Sequence, residues 1–323
     1  MKGSYQISVQ NNKVKYDFTI RRNITIIQGN SASGKTTLVD LIREHQLEGD
    51  ASGINLSCRK KCVVLEGIEW QQNLSLFKDS IVFVDEGNAF ISSKDFASAI
   101  KDTDNYYVLI TREGLENLPY SVNEIYGIHS SGKYAGLKQV YHEFYHIYDY
   151  DNSILTENIT NILTEDSNSG FEFFKELSTG KYNCESAKGK SNIYKKLQNS
   201  EDLNLVIADG AAFGSQIAKI MKLVSYKRNC VLYLPESFEY ILLQAELLKD
   251  SELSSILDSP ENYIESKKYF SWEQFFTSFI TEKTKGTFLK YSKKKLNTNY
   301  LSESIKNQII SSKAFTRIKN LFE

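Results

Sequence analysis

A segment near the start of the chain has the residue types and spacing of a phosphate-binding loop. Residues 29–37 read Gly-Asn-Ser-Ala-Ser-Gly-Lys-Thr-Thr and match the pattern G-x-x-x-x-G-K-[ST]. Glycines let the backbone curl around phosphates, and successive amide N–H groups at a helix N-terminus supply positive potential. We therefore expect a nucleoside triphosphate at Gly29, Asn30, Ser31, Ala32, Ser33, Gly34, Lys35, Thr36 and Thr37.

Two side chains of this loop have defined tasks in the pattern. Lys35 should reach the β- and γ-phosphates, and Thr36 should place its hydroxyl on Mg²⁺. The β-branched run Asn23–Ile27 predicts a buried strand before the loop, and apolar positions after it predict a helix. The loop is thus expected between a strand and a helix, which is the context that its chemistry requires.

A second apolar run ends in two acids. Residues 80–86 read Ser-Ile-Val-Phe-Val-Asp-Glu and resemble a Walker B motif, so that the first half of the chain resembles a P-loop NTPase. This resemblance implies that Asp85 holds the magnesium shell and that Glu86, a catalytic candidate, orients or deprotonates the attacking water. The guanine-specificity pattern N-K-x-D is absent, so ATP is the expected nucleotide, with other nucleotides left open.

Further strands should complete a parallel sheet with helices between its strands. Cys62–Leu65 and Tyr106–Ile110 have the required apolar character, and the second run ends in Thr111-Arg112. Polar residues at the carboxyl ends of sheet strands face the ligand crevice. Thr111 is therefore a candidate sensor of the γ-phosphate, and Arg112 is a catalytic candidate that would stabilise transferred charge. A solvated arginine is the alternative, and the sequence leaves both open.

Length and composition favour a two-domain cytosolic protein. A chain of 323 residues is longer than a typical single domain with one hydrophobic core. We place the boundary near residues 149–153, which gives domains 1–150 and 151–323. The net charge of −1 provides no overall basic field, and no apolar run is long enough to span a membrane. We expect a cytoplasmic location without membrane association. The four cysteines lack zinc-site spacing and are interpreted as ordinary thiols.

The start of the chain predicts a hairpin, because Tyr5–Gln10 and Lys15–Ile20 alternate in polarity and are joined by a turn-prone pair.

A tyrosine-rich stretch precedes the domain boundary and contains Tyr134, Tyr141, Tyr145, Tyr148 and Tyr150. It fits either strands that close the first domain or a linker packed on both domains. The sequence does not decide between these alternatives.

The second half repeats an α/β pattern. Asn161–Thr164 and Leu203–Ala208 predict strands, and the acids Glu165 and Asp209 follow them. Further strand and helix segments are predicted at 181–186, 171–177, 193–197, 238–248 and 269–281. Because the carboxyl ends of parallel strands meet at one edge of a sheet, Glu165 and Asp209 should share a crevice. The predicted fold class is therefore α/β for both domains, with a helical C-terminus.

These acids resemble part of a Toprim domain, the metal-dependent module of topoisomerases, primases and the overcoming-lysogenisation-defect nucleases. The resemblance covers about 161–234 and implies that Glu165 and Asp209 are metal-binding and catalytic residues for phosphodiester chemistry. The family places a second Asp two residues after the first, and this chain has Ala211 there. Asp166, Glu236 or Glu239 could supply the missing ligand.

The C-terminal region adds a local basic character. Residues 290–295 read Lys-Tyr-Ser-Lys-Lys-Lys, and more basic residues lie nearby. Such a run is either a solvated face or a contact surface for a nucleic acid backbone. The sequence does not distinguish these alternatives.

Three functional hypotheses follow. The first is an ATP-hydrolysing regulator whose second domain cuts nucleic acid, a combination that resembles bacterial anti-phage systems. The second is an ATP-dependent switch with an inactive Toprim-like fold that recruits a partner protein, and Ala211 favours it. The third is a small-molecule kinase, which would need an arginine-rich lid. Since P-loop domains often need an arginine from a neighbour, we also expect a homo-oligomer.

Overall fold

Two β-sheets with flanking helices organise the computed structural model, which describes residues 1–29, 33–131, 139–148 and 158–323. The predicted α/β class is confirmed. The chain divides into two compact units. The first comprises Met1–Ile147 and Ser259–Ser271, and the second comprises Tyr148–Asp258 and Trp272–Glu323. The predicted boundary at 149–153 lies outside the described residues.

The first unit contains a mixed sheet with nine strands among the described residues. Its strands are β1 (Tyr5–Gln10), β2 (Val14–Ile20), β3 (Ile24–Ile27), β4 (Asn55–Ser57), β5 (Lys61–Val64), β6 (Ser80–Val84), β7 (Tyr106–Ile110), β8 (Ile125–Ser130) and β9 (Val140–His146). They lie in the order β4-β1-β2-β9-β8-β3-β7-β6-β5. The helices are α1 (Lys35–Glu48), α2 (Trp70–Leu76) and α3 (Lys94–Lys101).

The parallel part of this sheet runs from β8 through β3, β7 and β6 to β5. Every residue of β3, β6 and β7 is buried, as expected for strands covered on both faces. The predicted hairpin forms from β1 and β2, which pair antiparallel. The parallel arrangement places the segments that follow β3, β6 and β7 at the same edge of the sheet.

The tyrosine-rich stretch contributes a strand to the first unit. Tyr141 and Tyr145 lie in β9, which pairs antiparallel with β8 and parallel with β2. The structure therefore favours the first of the two alternatives for the part of this stretch that it describes. Tyr134 and Tyr150 lie outside the described residues.

The second unit has a four-stranded parallel sheet in its described part. The strands are β10 (Asn161–Thr164), β11 (Asn183–Ser186), β12 (Asn204–Ile207) and β13 (Cys230–Tyr233), in the order β11-β10-β12-β13. The helices are α4 (Ser169–Ser178), α5 (Lys190–Asn199), α6 (Gly214–Lys227), α7 (Phe238–Gln244), α8 (Leu253–Asp258), α9 (Trp272–Lys283), α10 (Glu303–Ile310) and α11 (Lys319–Phe322). The C-terminal part is helical, as predicted.

The four helices of the second unit predicted with stated bounds all have different bounds in the structure. Helices α4 and α5 extend beyond the predicted 171–177 and 193–197 at both ends. Helix α7 ends at Gln244 rather than Leu248, and the left-handed backbone of Glu246 (φ 54°) is incompatible with a continued helix. Helix α9 begins at Trp272 rather than Tyr269. Across the described ranges, every helix is too short or too polar to reach across a bilayer.

Candidate functional site

The predicted phosphate-binding loop lies between β3 and α1. Gly29 follows β3, and α1 begins at Lys35. Lys35 is buried, and its ammonium donates hydrogen bonds to the Gly29 carbonyl at 2.8 Å and to Ser33 Oγ at 3.1 Å. Thr36 and Thr37 are exposed in the first turn of α1. Asn30, Ser31 and Ala32 lie outside the described residues.

Gly34 is held in a conformation that few other residues adopt. Its φ of 93° is in the left-handed region, and its carbonyl accepts a hydrogen bond from the Tyr16 hydroxyl at 2.8 Å. Burial raises the pKa of Tyr16 to about 12, so this hydroxyl keeps its proton at neutral pH. Tyr16 stacks on His142 with ring centroids 4.5 Å apart. The sequence analysis missed both rings, because they reach the loop from β2 and β9, far away along the chain.

Substitution of Gly34 by Ala should therefore damage the loop. A Cβ there would lie 2.8 Å from the Tyr16 hydroxyl oxygen and 3.0 Å from His142 Cε1. We expect Gly34→Ala to lower the free energy of unfolding of the first unit by about 2 kcal/mol and to weaken ATP binding. The measurement is urea unfolding followed by Trp70 fluorescence in a Trp272→Phe background.

Gly67→Ala is the matched control. Gly67 has a similar φ of 83°, but no atom lies within 4 Å of an added Cβ. In this variant the free energy of unfolding should fall only by the cost of placing alanine in the left-handed region, about 1 kcal/mol. The variant should bind ATP normally. Equal losses of stability and equal ATP affinity in the two variants would contradict a role for the close packing at Gly34.

The acids after β6 lie at the same edge of the sheet as the loop. The Glu86 amide N–H donates to Asp85 Oδ1 at 2.8 Å, which fixes the local turn. Glu86 also forms a two-pronged ion pair with Arg112, with Arg112 Nη2 2.7 Å from Oε1 and Nε 3.0 Å from Oε2. The pKa of Glu86 is lowered, first by the hydrogen bonds from Arg112 and further by the charges of Arg112 and Lys35. The structure thus brings together the predicted catalytic residues Glu86 and Arg112.

Arg112 and Thr111 differ in what they can offer a ligand. The Arg112 side chain is 60% exposed and can change its partner without a large desolvation cost. The Thr111 hydroxyl is buried and donates to the Glu113 carbonyl at 2.9 Å. A contact between Thr111 and a γ-phosphate would therefore require its local turn to open.

In the second unit, the structure also brings together the two predicted acids. Glu165 follows β10, Asp209 follows β12, and the Asp209 amide N–H donates to Glu165 Oε2 at 3.1 Å. Burial raises the pKa of Glu165 to about 7, although the Asp209 amide opposes the rise. Burial also raises the pKa of Asp209, and the neighbouring acids Glu273, Glu165 and Glu239 add to this effect. The small cavity beside them has a volume of 20 Å³, enough for one water molecule.

A lysine lies among these acids. Lys293 forms an ion pair with Glu273, and its Nζ is 4.0 Å from Glu239 Oε1. The Tyr291 hydroxyl donates to the same Glu239 oxygen at 2.7 Å. Burial lowers the pKa of Lys293, but the charges of Glu239, Asp209 and Glu273 outweigh burial and raise it overall. Lys293 is therefore a cation among these acids. It belongs to the basic run 290–295, which the sequence predicts to be a solvated face or a nucleic acid contact, and its pairing was not predicted because Asp209 lies 84 residues earlier in the chain.

Asp166 and Glu239, which were also considered as metal ligands, already have partners within the protein. Asp166 Oδ1 accepts the Phe171 amide at 2.9 Å at the start of α4. Glu239 is 1% exposed, and its Oε2 has no hydrogen-bond partner within the described part of the chain. Ala211 is 2% exposed, so a longer side chain at that position would need new space. The described residues contain no group of three or more His, Cys, Asp or Glu placed to hold a metal ion.

Comparisons with known proteins do not assign a family. The sequence matches no protein-family model, and a search of curated proteins finds no match. The geometry of the two sites therefore carries the functional argument.

Proposed function

We propose that this chain binds ATP with Mg²⁺ and hydrolyses it at a site formed by residues 29–37, Asp85, Glu86 and Arg112. One observation carries this proposal. The loop and the Glu86–Arg112 ion pair lie at the same edge of a parallel sheet, and the charge of Lys35 adds to the larger effect of Arg112 in lowering the pKa of Glu86. An ionised carboxylate beside a phosphate-binding lysine is the arrangement that a water-directed phosphoryl transfer needs.

The residues have separate tasks in this proposal. Lys35 exchanges its contacts with Gly29 and Ser33 for the β- and γ-phosphates. Thr36 and Asp85 are the residues that would hold magnesium, which neutralises charge on the phosphates. Glu86 orients the attacking water. Arg112 leaves Glu86 and stabilises the charge of the transferred group, so the ion pair is a resting arrangement that opens on nucleotide binding.

Glu86→Gln tests the catalytic part of the proposal. The amide keeps the shape of the side chain but cannot accept a proton or hold Arg112 as a charge pair. We expect phosphate release to fall about 100-fold or more while ATP affinity is retained. Affinity is measured by calorimetry with Mg²⁺ and ATP, and turnover by phosphate release.

Glu66→Gln is the control for loss of an exposed ion pair. The two carboxylate oxygens of Glu66 accept hydrogen bonds from Arg43, as those of Glu86 do from Arg112. Glu66 is not one of the residues of the proposed site. Its removal should leave turnover within about twofold of wild type, because an exposed pair contributes little. Undiminished phosphate release from Glu86→Gln would remove Glu86 from the mechanism.

We further propose that the second unit acts as an ATP-dependent recruiting module rather than as a nuclease. The observation in favour is the Lys293 ammonium, which pairs with Glu273 and Glu239. Its charge also acts on Asp209, close to the acids with which a nuclease would hold a divalent cation. Incubation of plasmid DNA and RNA with the chain, Mg²⁺ or Mn²⁺, and with or without ATP, should produce no cleavage. Cleavage that Glu165→Ala and Asp209→Ala both abolish would instead establish the nuclease hypothesis.

A further inference from the structure

Two cysteines of the first unit lie on or beside the short connection between β4 and β5, at the amino end of the parallel strands. Cys58 follows β4, and Cys62 is the second residue of β5. Cys62 pairs with Ile81 near the start of β6, whereas Asp85 follows the end of that strand. The cysteines are therefore at the edge of the sheet opposite the proposed ATP site. Their closeness in sequence suggests a shared role, but no further zinc ligands follow at suitable spacing, so from sequence they are interpreted as ordinary thiols.

Both sulfur atoms form hydrogen bonds with the backbone of one residue, Lys60. The Lys60 amide N–H donates to Cys58 Sγ at 3.5 Å, and Cys62 Sγ lies 3.8 Å from the Lys60 carbonyl oxygen, to which its thiol donates. Cys62 is also close enough to Cys58 for the two thiols to influence each other's pKa. Cys58 is partly exposed and Cys62 is buried against the main core of the unit. One cysteine of the pair is thus partly accessible to solvent, and the other is buried.

The charges and hydrogen bonds around Cys58 favour its thiolate. The Cys62 thiol is the largest influence, burial opposes it, and the Lys60 amide and the Arg59 charge add to it, so that the pKa of Cys58 falls to about 6. The proximity of Cys58 raises the pKa of Cys62. Burial raises the pKa of Cys184 to about 11 and that of Cys230 to about 12. At neutral pH, Cys58 is the thiolate among the four cysteines.

We propose that Cys58 and Cys62 form a reversible disulfide when the protein meets a peroxide. The Cys58 sulfur attacks one peroxide oxygen, an S–O bond forms, the O–O bond breaks, and water leaves after protonation. The Cys62 sulfur then attacks Cys58, an S–S bond forms, the S–O bond breaks, and the Cys62 proton leaves with a second water. The two sulfur atoms supply the two electrons that reduce the peroxide, and a dithiol reductant reverses the reaction.

The test uses the full chain with stoichiometric hydrogen peroxide, followed by alkylation of the remaining thiols under denaturing conditions and peptide mapping by mass spectrometry. We expect a Cys58–Cys62 disulfide that dithiothreitol removes, with alkylation retained at Cys184 and Cys230. The pair should oxidise at least about tenfold faster than either of those thiols. Alkylation of both Cys58 and Cys62, or equal oxidation of all four cysteines, would overturn the proposal.

Two variants separate the roles of the pair. Cys62→Ala should stop the reaction at a sulfenic acid on Cys58, which a 1,3-dicarbonyl probe captures. Cys58→Ser should resist peroxide at the concentration that oxidises wild type. A Cys184→Ser, Cys230→Ser double variant is the control and should form the disulfide at the wild-type rate. Disulfide formation that depends on Cys184 or Cys230 would exclude the proposed pair.

Discussion

Lys35→Ala is expected to abolish ATP turnover. The Lys35 ammonium is buried beside the loop and is already surrounded by oxygen acceptors, so the phosphates of ATP can replace those acceptors without moving the helix. Loss of this charge leaves the transferred phosphate without its main protein cation. We expect phosphate release to fall at least about 100-fold, with weaker ATP binding measured by calorimetry.

The controls for Lys35 separate chemistry from folding. Lys35→Met keeps the length and apolar stem of the side chain and should show the same loss of turnover as Lys35→Ala. Lys94→Ala removes an exposed lysine from α3 and should be indistinguishable from wild type. ATP should raise the unfolding midpoint of wild type and of Lys94→Ala but not of the Lys35 variants. Unchanged affinity and turnover in both Lys35 variants would contradict the assignment of the loop.

Lys293→Met is expected to destabilise the second unit strongly at alkaline pH. The substitution preserves volume but leaves Glu239 and Glu273 without their cation, close to Asp209. Removing one partner of a largely buried ion pair costs about 3 kcal/mol. The measurement is urea unfolding at pH 8 followed by Trp272 fluorescence in a Trp70→Phe background.

The pH dependence of this loss has a defined sign. The pKa values of Glu165 and Asp209 are higher in the folded unit than in the unfolded chain. Above pH 4.5, the ordinary pKa of Glu165, the folded unit therefore binds more protons than the unfolded chain. For Glu165, this stability is fully present below pH 4.5 and is lost as pH rises through about 7. For Asp209, it is fully present below pH 3.8 and is lost as pH rises through its raised pKa. Lys293→Met should therefore cost less at pH 5 than at pH 8. An equal cost at both values would show that the charge of Lys293 is not what stabilises the unit.

Lys290→Met and added metal complete this experiment. Lys290 is a nearby exposed lysine, and its substitution should leave the unfolding midpoint unchanged at both pH values. Millimolar Mg²⁺ should leave the wild-type midpoint unchanged if Lys293 already serves as the cation of these acids. An upward shift of the wild-type midpoint that Asp209→Asn removes would show that the acids take a divalent ion and would support the nuclease hypothesis.

Local sequence patterns determined most of the secondary structure near the two sites. The β-branched runs before Gly29 and Asp85 form buried strands, and the strands before Glu165 and Asp209 form within one residue of their predicted bounds. Helix α6 and strand β13 were not predicted, although each has an apolar pattern of its own. Helix ends were predicted less well, because a single left-handed residue such as Glu246 ends a helix without changing its apolar periodicity.

The sequence by itself determined the phosphate-binding loop, because that chemistry depends on residues adjacent in the chain, and the α/β class, because its periodicities are local. Only the tertiary structure decided what surrounds these residues. The pairing of Arg112 with Glu86, the support of Gly34 by Tyr16 and the placement of Lys293 beside Glu239 all join residues from separate elements. Such contacts depend on strand order and helix packing, and no local pattern specifies them.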